Sequence, residues 1–417
     1  MAALAVETDF RRHTHGSGDH DPISVLRRQN MAELQRKADD RVRRMLCLAG
    51  FAACLAPGLA RAAEAGVSDK EIVVGQIIAL TGPLAGITPD IVNGAAAWFA
   101  SANEKGGVHG RKVRLATLDD GYVPANSVKA ARQLIEEDQA FAILNMTGTG
   151  NVAAVLPMLE KERMPLFGPI TGADSLRHPL MPSVFHIRAS YGDEAEKIVQ
   201  HLSTVGIKRI SVVYLDNGFG KDGLAGMEKA MQKRSLKIYS SAAVQQDASD
   251  VGKAVTALHD TRPEVIVMIT TGKATVDFIK KYNAVRKGTQ FYALSVMGTQ
   301  STLRALGPDG VGVVVTSVVP FPWSANPAAR EYRAAMQKAG YENLSFMGFE
   351  SYLNAKAMTE GLRRAGRDLT RAKFINALEG MKQLNLGGFE VGFSKDSHQG
   401  SKFVELTIIG PGEKFTK

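Results

Sequence analysis

The chain has 417 residues, of which 45% are hydrophobic, 22% charged and 7% aromatic. This composition is typical of a globular protein rather than of a disordered or fibrous one. The net charge of +9 comes from basic residues that are scattered along the chain, as in Arg111-Lys112 and Lys280-Lys281. Because there is no dense basic stripe with interleaved aromatic residues, the sequence argues against nucleic acid as a partner.

Residues 1–65 are predicted to be a leader and signal peptide that is not part of the fold. Arg43-Arg44 precedes an apolar run from Met45 to Ala60, and small residues follow at Ala62-Ala63. A positive charge, an apolar core and a small-residue cleavage site in this order are typical of a secretory signal. The run is shorter than the roughly 20 apolar residues that span a bilayer. We therefore expect an exported protein, with Met31 as a plausible true start.

Two other interpretations of this segment stay open. Arg43-Arg44 could belong to a twin-arginine export signal, and Phe51-Ala52-Ala53-Cys54 resembles a lipoprotein box, in which Cys54 would carry a lipid anchor. Both cysteines, Cys47 and Cys54, lie in the leader. The mature chain is therefore expected to contain no disulfide, thiol nucleophile or cysteine metal site.

Strand and helix patterns alternate after the leader. A β-branched segment at 71–79 predicts a buried strand, and apolar residues at helical spacing over 90–103 predict a helix. Such alternation predicts a parallel α/β sheet with right-handed crossovers. The other strands predicted in this half are 112–118, 141–145, 165–167 and 184–187, and the other helices are 125–137 and 152–161.

The alternation then restarts and predicts a second doubly wound half. Its strands are 209–215, 237–241, 264–269, 290–294 and 311–318, and its helices are 194–202, 224–233, 251–258 and 274–282. Pro320-Phe321-Pro322 is stiff and suits a crossing between lobes. Helices at 328–338, 349–365 and 371–379 and a strand at 402–409 follow.

The predicted fold class is α/β, with two doubly wound parallel-sheet lobes joined by a multi-strand hinge around a ligand cleft. Lobe 1 comprises residues 68–188 plus 321–385, and lobe 2 comprises residues 189–320 plus 386–417. In open α/β sheets, ligands bind beyond the carboxyl ends of the strands. The loops that follow the strands are therefore the candidate contacts.

A small, hydroxyl-rich segment, Asn145-Met146-Thr147-Gly148-Thr149, links a predicted strand to a helix. Backbone NH groups at the helix start, aided by Thr147 and Thr149, would receive a carboxylate. Ordinary capping by Thr149 or Asn151 is the alternative. Ile170-Thr171-Gly172 could add contacts, and Tyr191 could reach the cleft from lobe 2 or be a packing tyrosine.

Gly218-Phe219-Gly220-Lys221-Asp222-Gly223 has the G-x-G-x-x-G spacing of a dinucleotide-binding loop. Against that function, Asp216-Asn217 separates the glycines from the strand, and no acidic residue ends the next strand. We interpret the glycines as a turn that projects Phe219. A nucleotide-dependent oxidoreductase stays as a less favoured alternative.

The remaining acidic, histidine and serine residues form no recognisable catalytic or metal-binding motif in the sequence. Asp119-Asp120 is expected to cap a turn or make an interlobe contact rather than act as an acid/base pair. The histidines outside the leader lack ligand spacing, and there is no G-x-S-x-G motif. We therefore expect neither an enzyme nor a cofactor.

An ordered set of motifs runs from about Lys70 onward, namely Ile72 to Gly75, Thr81-Gly82-Pro83-Leu84, Asn103-x-x-Gly106-Gly107-Val108-x-Gly110-Arg111-Lys112, Leu118-Asp119-Asp120, Pro165-Leu166-Phe167-Gly168, Phe185-x-x-Arg188 and Asp216-Asn217-Gly218-Phe219-Gly220. This set resembles the type I periplasmic solute-binding proteins of ABC importers, in the leucine/isoleucine/valine-binding branch. The resemblance implies a periplasmic monomer that captures a small solute and delivers it to a membrane permease and its ATPase. A sensor of the same fold that reports to a signalling partner is the alternative.

The resemblance also places the family's carboxylate-binding loops on residues 145–149 and 170–172, and its second-lobe aromatic residue on Phe219. Where amino-acid binders hold the ammonium with an acidic residue, this chain has Ser295-Val296-Met297. An unpaired ammonium in a closed cleft is costly, so an aliphatic or aromatic carboxylate competes with an apolar amino acid as ligand. Glu350 could supply the missing charge. The expected ligand-binding residues are Ile87, Asn145, Met146, Thr147, Gly148, Thr149, Ile170, Thr171, Gly172, Tyr191, Phe219, Gly272, Ser295 and Met297.

Overall fold

A computed structural model of the protein describes Met31, Glu33, residues 35–38 and residues 64–416. The chain divides into two compact units, Met1–Ala62 and Ala63–Lys417. In the first unit the described residues are helical, and Lys37 Nζ lies 3.0 Å from Glu33 Oε1. The predicted signal segment, its cleavage site and both cysteines lie outside the described residues. Among the described helices, none combines the length and hydrophobicity that a membrane span requires.

The second unit contains two large sheets within residues 64–416. The first has the strand order β2-β1-β3-β4-β5 with every pairing parallel. The second has the order β14-β13-β10-β9-β8-β6-β7, in which β6 to β10 are parallel and β13 and β14, toward one edge, pair antiparallel. The strands are β1 Glu71–Ile78, β2 Lys112–Asp119, β3 Ala142–Leu144, β4 Leu166–Phe167, β5 Val184–Phe185, β6 Ile210–Leu215, β7 Ser241–Val244, β8 Val265–Ile269, β9 Gln290–Ala293, β10 Val314–Ser317, β11 Leu384–Asn385, β12 Glu390–Val391, β13 Glu405–Gly410 and β14 Lys414–Thr416.

Side-chain caps fix where several helices begin. Ser190 and Asp193 form a capping box, and Asn217, Ser345 and Thr370 each accept a hydrogen bond from a backbone NH in the first turn. Such caps satisfy NH groups that have no partner within the helix. The helices of the second unit are Thr88–Glu104, Pro124–Glu136, Thr149–Lys161, Tyr191–Thr204, Gly218–Gln232, Val251–Thr261, Gly272–Val285, Gln300–Leu306, Pro327–Lys338, Phe346–Arg364 and Arg371–Glu379.

The structure confirms the alternating, doubly wound α/β fold and corrects several boundaries. Strand β7 begins at Ser241, whereas the sequence predicts a strand at 237–241. The C-terminal strand starts at Glu405 rather than at residue 402, and the hairpin partner β14 was not predicted. The turn at Pro411-Gly412, which separates the two strands, was the available signal for that hairpin.

The glycine-rich segment is a helix start, not the turn that the sequence predicts. Gly218 opens the helix, and a Cβ at Gly220 would lie 1.9 Å from the Leu215 carbonyl oxygen. A Cβ at Gly223 would lie 2.6 Å from Ile269 Cγ2. These glycines therefore let the helix pack closely on β6 and β8. This packing accounts for their spacing, and a role in binding the phosphates of a nucleotide is not needed to explain it.

The chain passes three times between the two sheets, at 186–190, 318–326 and 394–404. The first and third crossings lie side by side, because His186 donates its NH to His398 at 2.8 Å and accepts from Gly400 at 2.6 Å. The second crossing returns the chain to the first sheet, where Trp98 Nε1 donates to Thr359 Oγ1 at 2.8 Å. Glu64 Oε1 lies 3.9 Å from Arg371 Nε, so Glu64 packs beside the start of the helix Arg371–Glu379. We propose that each sheet with its helices forms one lobe, with the boundaries given above.

Candidate functional site

A narrow cavity of about 30 Å³ lies where the carboxyl ends of strands from both sheets meet. A cavity of this size has room for few atoms, so its two walls lie close together. Its walls are mostly apolar or hydroxylic. The lining residues are Leu84, Ile87, Tyr122, Thr147, Gly148, Thr149, Ile170, Tyr191, Phe219, Thr271, Val296 and Met347.

The first-sheet wall is centred on the loop between β3 and the helix Thr149–Lys161. Gly148 has φ +96°, and a Cβ there would lie 2.6 Å from the Tyr122 ring. Only glycine adopts this conformation readily and leaves room for the ring. Thr149 Oγ1 lies 2.8 Å from Thr171 Oγ1, which ties this loop to the one after β4. The loop therefore presents a helix N-terminus and hydroxyl groups to the cavity.

The second-sheet wall is formed by aromatic rings and by a second helix N-terminus. The Tyr191 and Phe219 rings pack edge to face with centroids 5.1 Å apart. A Cβ at Gly218 would lie 3.6 Å from the backbone nitrogen of Gly150, so two helices begin beside each other at the cavity. Helix N-termini carry partial positive charge and unsatisfied NH groups, which favour an anion.

Thr271 contributes a hydroxyl group to the cavity wall. Its side chain lines the cavity, is 6% exposed, and its Oγ1 has no hydrogen-bond partner among the described residues. A buried hydroxyl without a partner costs free energy, on the order of 1–3 kcal/mol. A ligand oxygen at this position would therefore gain a hydrogen bond that the protein alone does not make.

Asp119 and Asp120 hold loops of the first-sheet wall. Asp119 accepts hydrogen bonds from Leu80 N at 2.8 Å and from the hydroxyl of Thr81 at 2.6 Å. Asp120 accepts from Ser127 Oγ at 2.6 Å and from Asn151 Nδ2 at 2.9 Å. Both carboxylates are occupied by structural hydrogen bonds, in line with the predicted capping role.

Behind the cavity lies a buried ion cluster of Arg188, Glu194 and Glu350, each at most 1% exposed. Arg188 Nη1 lies 3.7 Å from Glu350 Oε1, and Nη2 donates to Glu194 Oε1 at 3.4 Å and to Ser295 Oγ. Glu194 accepts from Ser295 N at 2.7 Å and from the Thr316 hydroxyl. The cluster thus fixes the loop that carries Val296 into the cavity.

Burial shifts the pKa values around this cluster. It raises the pKa of Glu350, and the nearby Arg188 counteracts that rise. Burial and then the charge of Arg188 lower the pKa of Arg177 to about 10. Burial also raises the pKa of Tyr122 and of Tyr191. The two tyrosines at the cavity therefore stay neutral near pH 7 and can both donate and accept hydrogen bonds.

The predicted site residues divide into two sets. The structure brings together at the cavity Ile87, Thr147, Gly148, Thr149, Ile170, Tyr191 and Phe219. It places Thr171 and Gly172 directly behind them, through the Thr149 hydroxyl and the Tyr191 backbone NH. The others lie outside the lining, namely Asn145, Met146, Gly272, Ser295 and Met297.

Each residue outside the lining is engaged elsewhere. Asn145 donates to Ser351 Oγ at 2.7 Å and accepts from Asn354 Nδ2 at 2.7 Å. Met146 belongs to the hydrophobic core, and Ser295 is bound by Glu194 and Arg188. Gly272 and Met297 are each next to a lining residue, Thr271 and Val296. Gly272 and Met297 therefore lie in loops that border the cavity, but the neighbouring residues line it.

Five lining residues were missed by the sequence prediction. Leu84 and Tyr122 follow β1 and β2, and Thr271 and Val296 follow β8 and β9. The rule that ligands lie at strand carboxyl ends could have indicated these four. Met347 opens a helix after the second crossing, and no local pattern marks it. Among the described residues there is also no group of three or more metal-ligating side chains.

Comparisons with known proteins agree with this geometry. A family model described as periplasmic binding protein matches residues 71–407. Leu/Ile/Val-binding protein homolog 3 of Brucella melitensis biotype 1 is 25% identical over 346 residues, covering 82% of this chain and 90% of that protein. A substrate-binding periplasmic protein from Ralstonia solanacearum superposes with TM-score 0.77 at 32% identity. The match covers 81% of this chain and 98% of that protein. A possible leucine/isoleucine/valine-binding protein from Rhodopirellula baltica SH 1 superposes with TM-score 0.79 at 28% identity. The match covers 82% of this chain and 95% of that protein.

Proposed function

The chain belongs to the periplasmic binding protein family, and we propose that it is the receptor of an ABC importer that captures a small carboxylate-bearing ligand by closure of two lobes. The cavity between the strand ends carries this proposal. It joins two helix N-termini, the hydroxyls of Thr149 and Thr271, and an apolar wall. A carboxylate would meet the NH groups and hydroxyls, and an aliphatic or aromatic body would meet Ile87 and Phe219.

The ligand we favour has no α-ammonium. Of the described residues that line the cavity, none is acidic. Glu350, the candidate for a counter-charge, lies behind the lining and faces Arg188 at 3.7 Å. An ammonium enclosed there would lose its hydration without gaining an ion pair. The lining therefore matches the chemistry of short branched or aromatic monocarboxylates better than that of the corresponding amino acids.

A branched-chain amino acid is the second candidate, because several relatives are named as leucine/isoleucine/valine-binding proteins. Both candidates share the carboxylate and the apolar body, and they differ in the ammonium alone. Export to the periplasm and partnership with a permease and its ATPase follow from the proposed function. A receptor that reports to a signalling partner is the alternative use of the same closure.

A thermal-shift screen of the exported protein decides between these ligands. The matched pairs are leucine with 4-methylpentanoate and valine with 3-methylbutanoate, together with benzoate. We expect the monocarboxylates to raise the melting temperature, because a ligand at 100 times its Kd stabilises by about 2.7 kcal/mol. Stabilisation by the amino acids alone would overturn the ligand class and leave the receptor function intact. If no member of either class binds, the proposed carboxylate site is wrong.

A further inference from the structure

We infer that Arg188 sets the ligand class of the cleft, because its guanidinium engages the Glu350 carboxylate and so withholds it from a ligand's α-ammonium. This inference rests on the proposed function. It assigns a specificity role to a residue that does not line the cavity. Arg188 acts through Glu350 and is therefore a positioning residue rather than a ligand contact.

The position of Glu350 makes it the acid that a ligand would otherwise use. Met347 lines the cavity, and Glu350 follows three residues later in the helix Phe346–Arg364. Residues three apart on a helix share a face, so the carboxylate lies behind the same wall. Glu350 is 1% exposed, and its Oε1 accepts no hydrogen bond within the described part of the chain.

Arg188 reaches the same wall from the first crossing. Its Cζ lies 5.8 Å from the centre of the Tyr191 ring, and its Nη2 donates to Ser295, the neighbour of the lining residue Val296. Its Nε and Nη1 make no hydrogen bond to the described residues. The guanidinium therefore stands between the second-sheet wall and Glu350, held mainly by charge on the Glu350 side.

The two carboxylates of the cluster are held unequally. Glu194 receives three hydrogen bonds from Ser295 and Thr316 in addition to that from Arg188. Glu350 has Arg188 at 3.7 Å, and Arg177 adds a weaker favourable charge. Removal of Arg188 would thus leave Glu194 satisfied but Glu350 without its main partner. A ligand ammonium entering the cleft could then take the place of the guanidinium.

With Arg188 present, the charges work against such a ligand. An ammonium placed near Glu350 would also meet the guanidinium at short range, and like charges in a buried site repel strongly. A monocarboxylate ligand bound at the helix N-termini has no ammonium group and therefore avoids this repulsion. The same Glu350 carboxylate can therefore favour either ligand class, depending on the residue at position 188.

Arg188→Met tests the inference, because methionine keeps the apolar stem and removes the charge. Isothermal titration with leucine and 4-methylpentanoate gives the ratio of their Kd values. We expect the wild type to prefer 4-methylpentanoate and Arg188→Met to shift the ratio toward leucine by about tenfold or more. The double variant Arg188→Met with Glu350→Gln should lose that shift. No shift in the folded single variant would overturn the inference.

Glu350→Gln keeps the inference testable if Arg188→Met does not fold. The amide retains the shape of the carboxyl group and leaves Arg188 in place. We expect it to change neither the affinity for 4-methylpentanoate nor the weak response to leucine. If the wild type binds leucine and Glu350→Gln abolishes that binding, then Glu350 is the ligand's counter-charge and the inference is wrong. If the wild type binds neither leucine nor 4-methylpentanoate, that result would instead contradict the proposed function.

Discussion

Thr149 and Thr171 join the loops after β3 and β4 by a hydrogen bond of 2.8 Å between their hydroxyls. Thr149→Val removes one hydroxyl and keeps the shape of the side chain. We expect a carboxylate ligand to bind about tenfold more weakly, because a hydrogen bond to a charged group contributes about 1.5–3 kcal/mol. Titration calorimetry measures the loss. Thr256→Val, at an exposed position of the helix Val251–Thr261, which does not line the cavity, is the matched control and should leave the Kd unchanged.

His186 gives the fold a pH dependence. Burial, and then the charge of Arg177, lower its pKa well below the usual 6.5, and its Nε2 bonds the Leu176 carbonyl at 3.1 Å. Below about pH 6.5 the unfolded chain therefore binds a proton that the folded chain does not, and this term destabilises the fold as the pH falls.

His186→Gln keeps a donor at the Nε2 position and removes the titration. We expect its free energy of unfolding to fall less between pH 7 and pH 5 than that of the wild type, as measured by urea denaturation at each pH. The difference between the two proteins isolates this histidine from other titrating groups. Parallel pH profiles would contradict the assignment.

At the scale of elements, glycines set how closely the helix Gly218–Gln232 packs on its sheet. Gly220→Ala would place a methyl group 1.9 Å from the Leu215 carbonyl oxygen, which the backbone must move to accommodate. We expect a loss of stability of about 1–3 kcal/mol, as for other overpacked sites. Thermal or urea unfolding measures it.

Gly252→Ala is the control for this substitution. Gly252 is exposed in the helix Val251–Thr261, and a Cβ there would meet nothing within 4 Å. Alanine should therefore be neutral or stabilise by up to about 1 kcal/mol through helix propensity. Equal effects of the two substitutions would show that packing on β6 is not the reason for Gly220.

Periodicity predicted most elements to within a few residues, because most helices bury one face and the central strands are mostly apolar. The starts of helices were less well predicted. The helix predicted from residue 194 begins at Tyr191, since the capping box of Ser190 and Asp193 fixes its first turn. The start of the helix at Gly218 was missed because glycine has low helix propensity, although Asn217 caps this helix and was a local signal for its start.

The sequence prediction named loops that border the cavity, but not all of the side chains that face it. Among the predicted residues, Thr147, Thr149 and Phe219 line the cavity. Whether Ser295 or Val296 faces inward depends on Glu194, which is more than a hundred residues away in sequence and binds Ser295. A local pattern carries no information on such a contact.

At the scale of the whole molecule, Asp222 links the two proposed lobes. Its carboxylate accepts from Asp174 N at 2.9 Å and from Ser175 N at 3.1 Å, which lie beyond β4 of the first sheet. Asp222→Ala should therefore favour the open form. We expect ligand affinity to fall about fivefold, with little change in the melting temperature of the ligand-free protein.

Small-angle X-ray scattering provides the second measurement, because an open form has a larger radius of gyration. Asp216→Ala is the control, since Asp216 pairs at 2.9 Å with Lys221 in the same lobe. It should alter neither the radius nor the affinity. A compact Asp222→Ala protein with normal affinity would show that this contact does not contribute to closure.

The three crossings have a consequence for how the protein is made. The first sheet is complete at Phe185, but the helix that covers Trp98 ends at Arg364, and the second sheet gains its last edge strand only at Lys414–Thr416. Domains fold as units once their chain is available. Here the proposed lobe 1 gains its last helix only at Arg371–Glu379, and the proposed lobe 2 gains its last strand only at Lys414–Thr416. For most of its synthesis the growing chain thus contains no finished lobe.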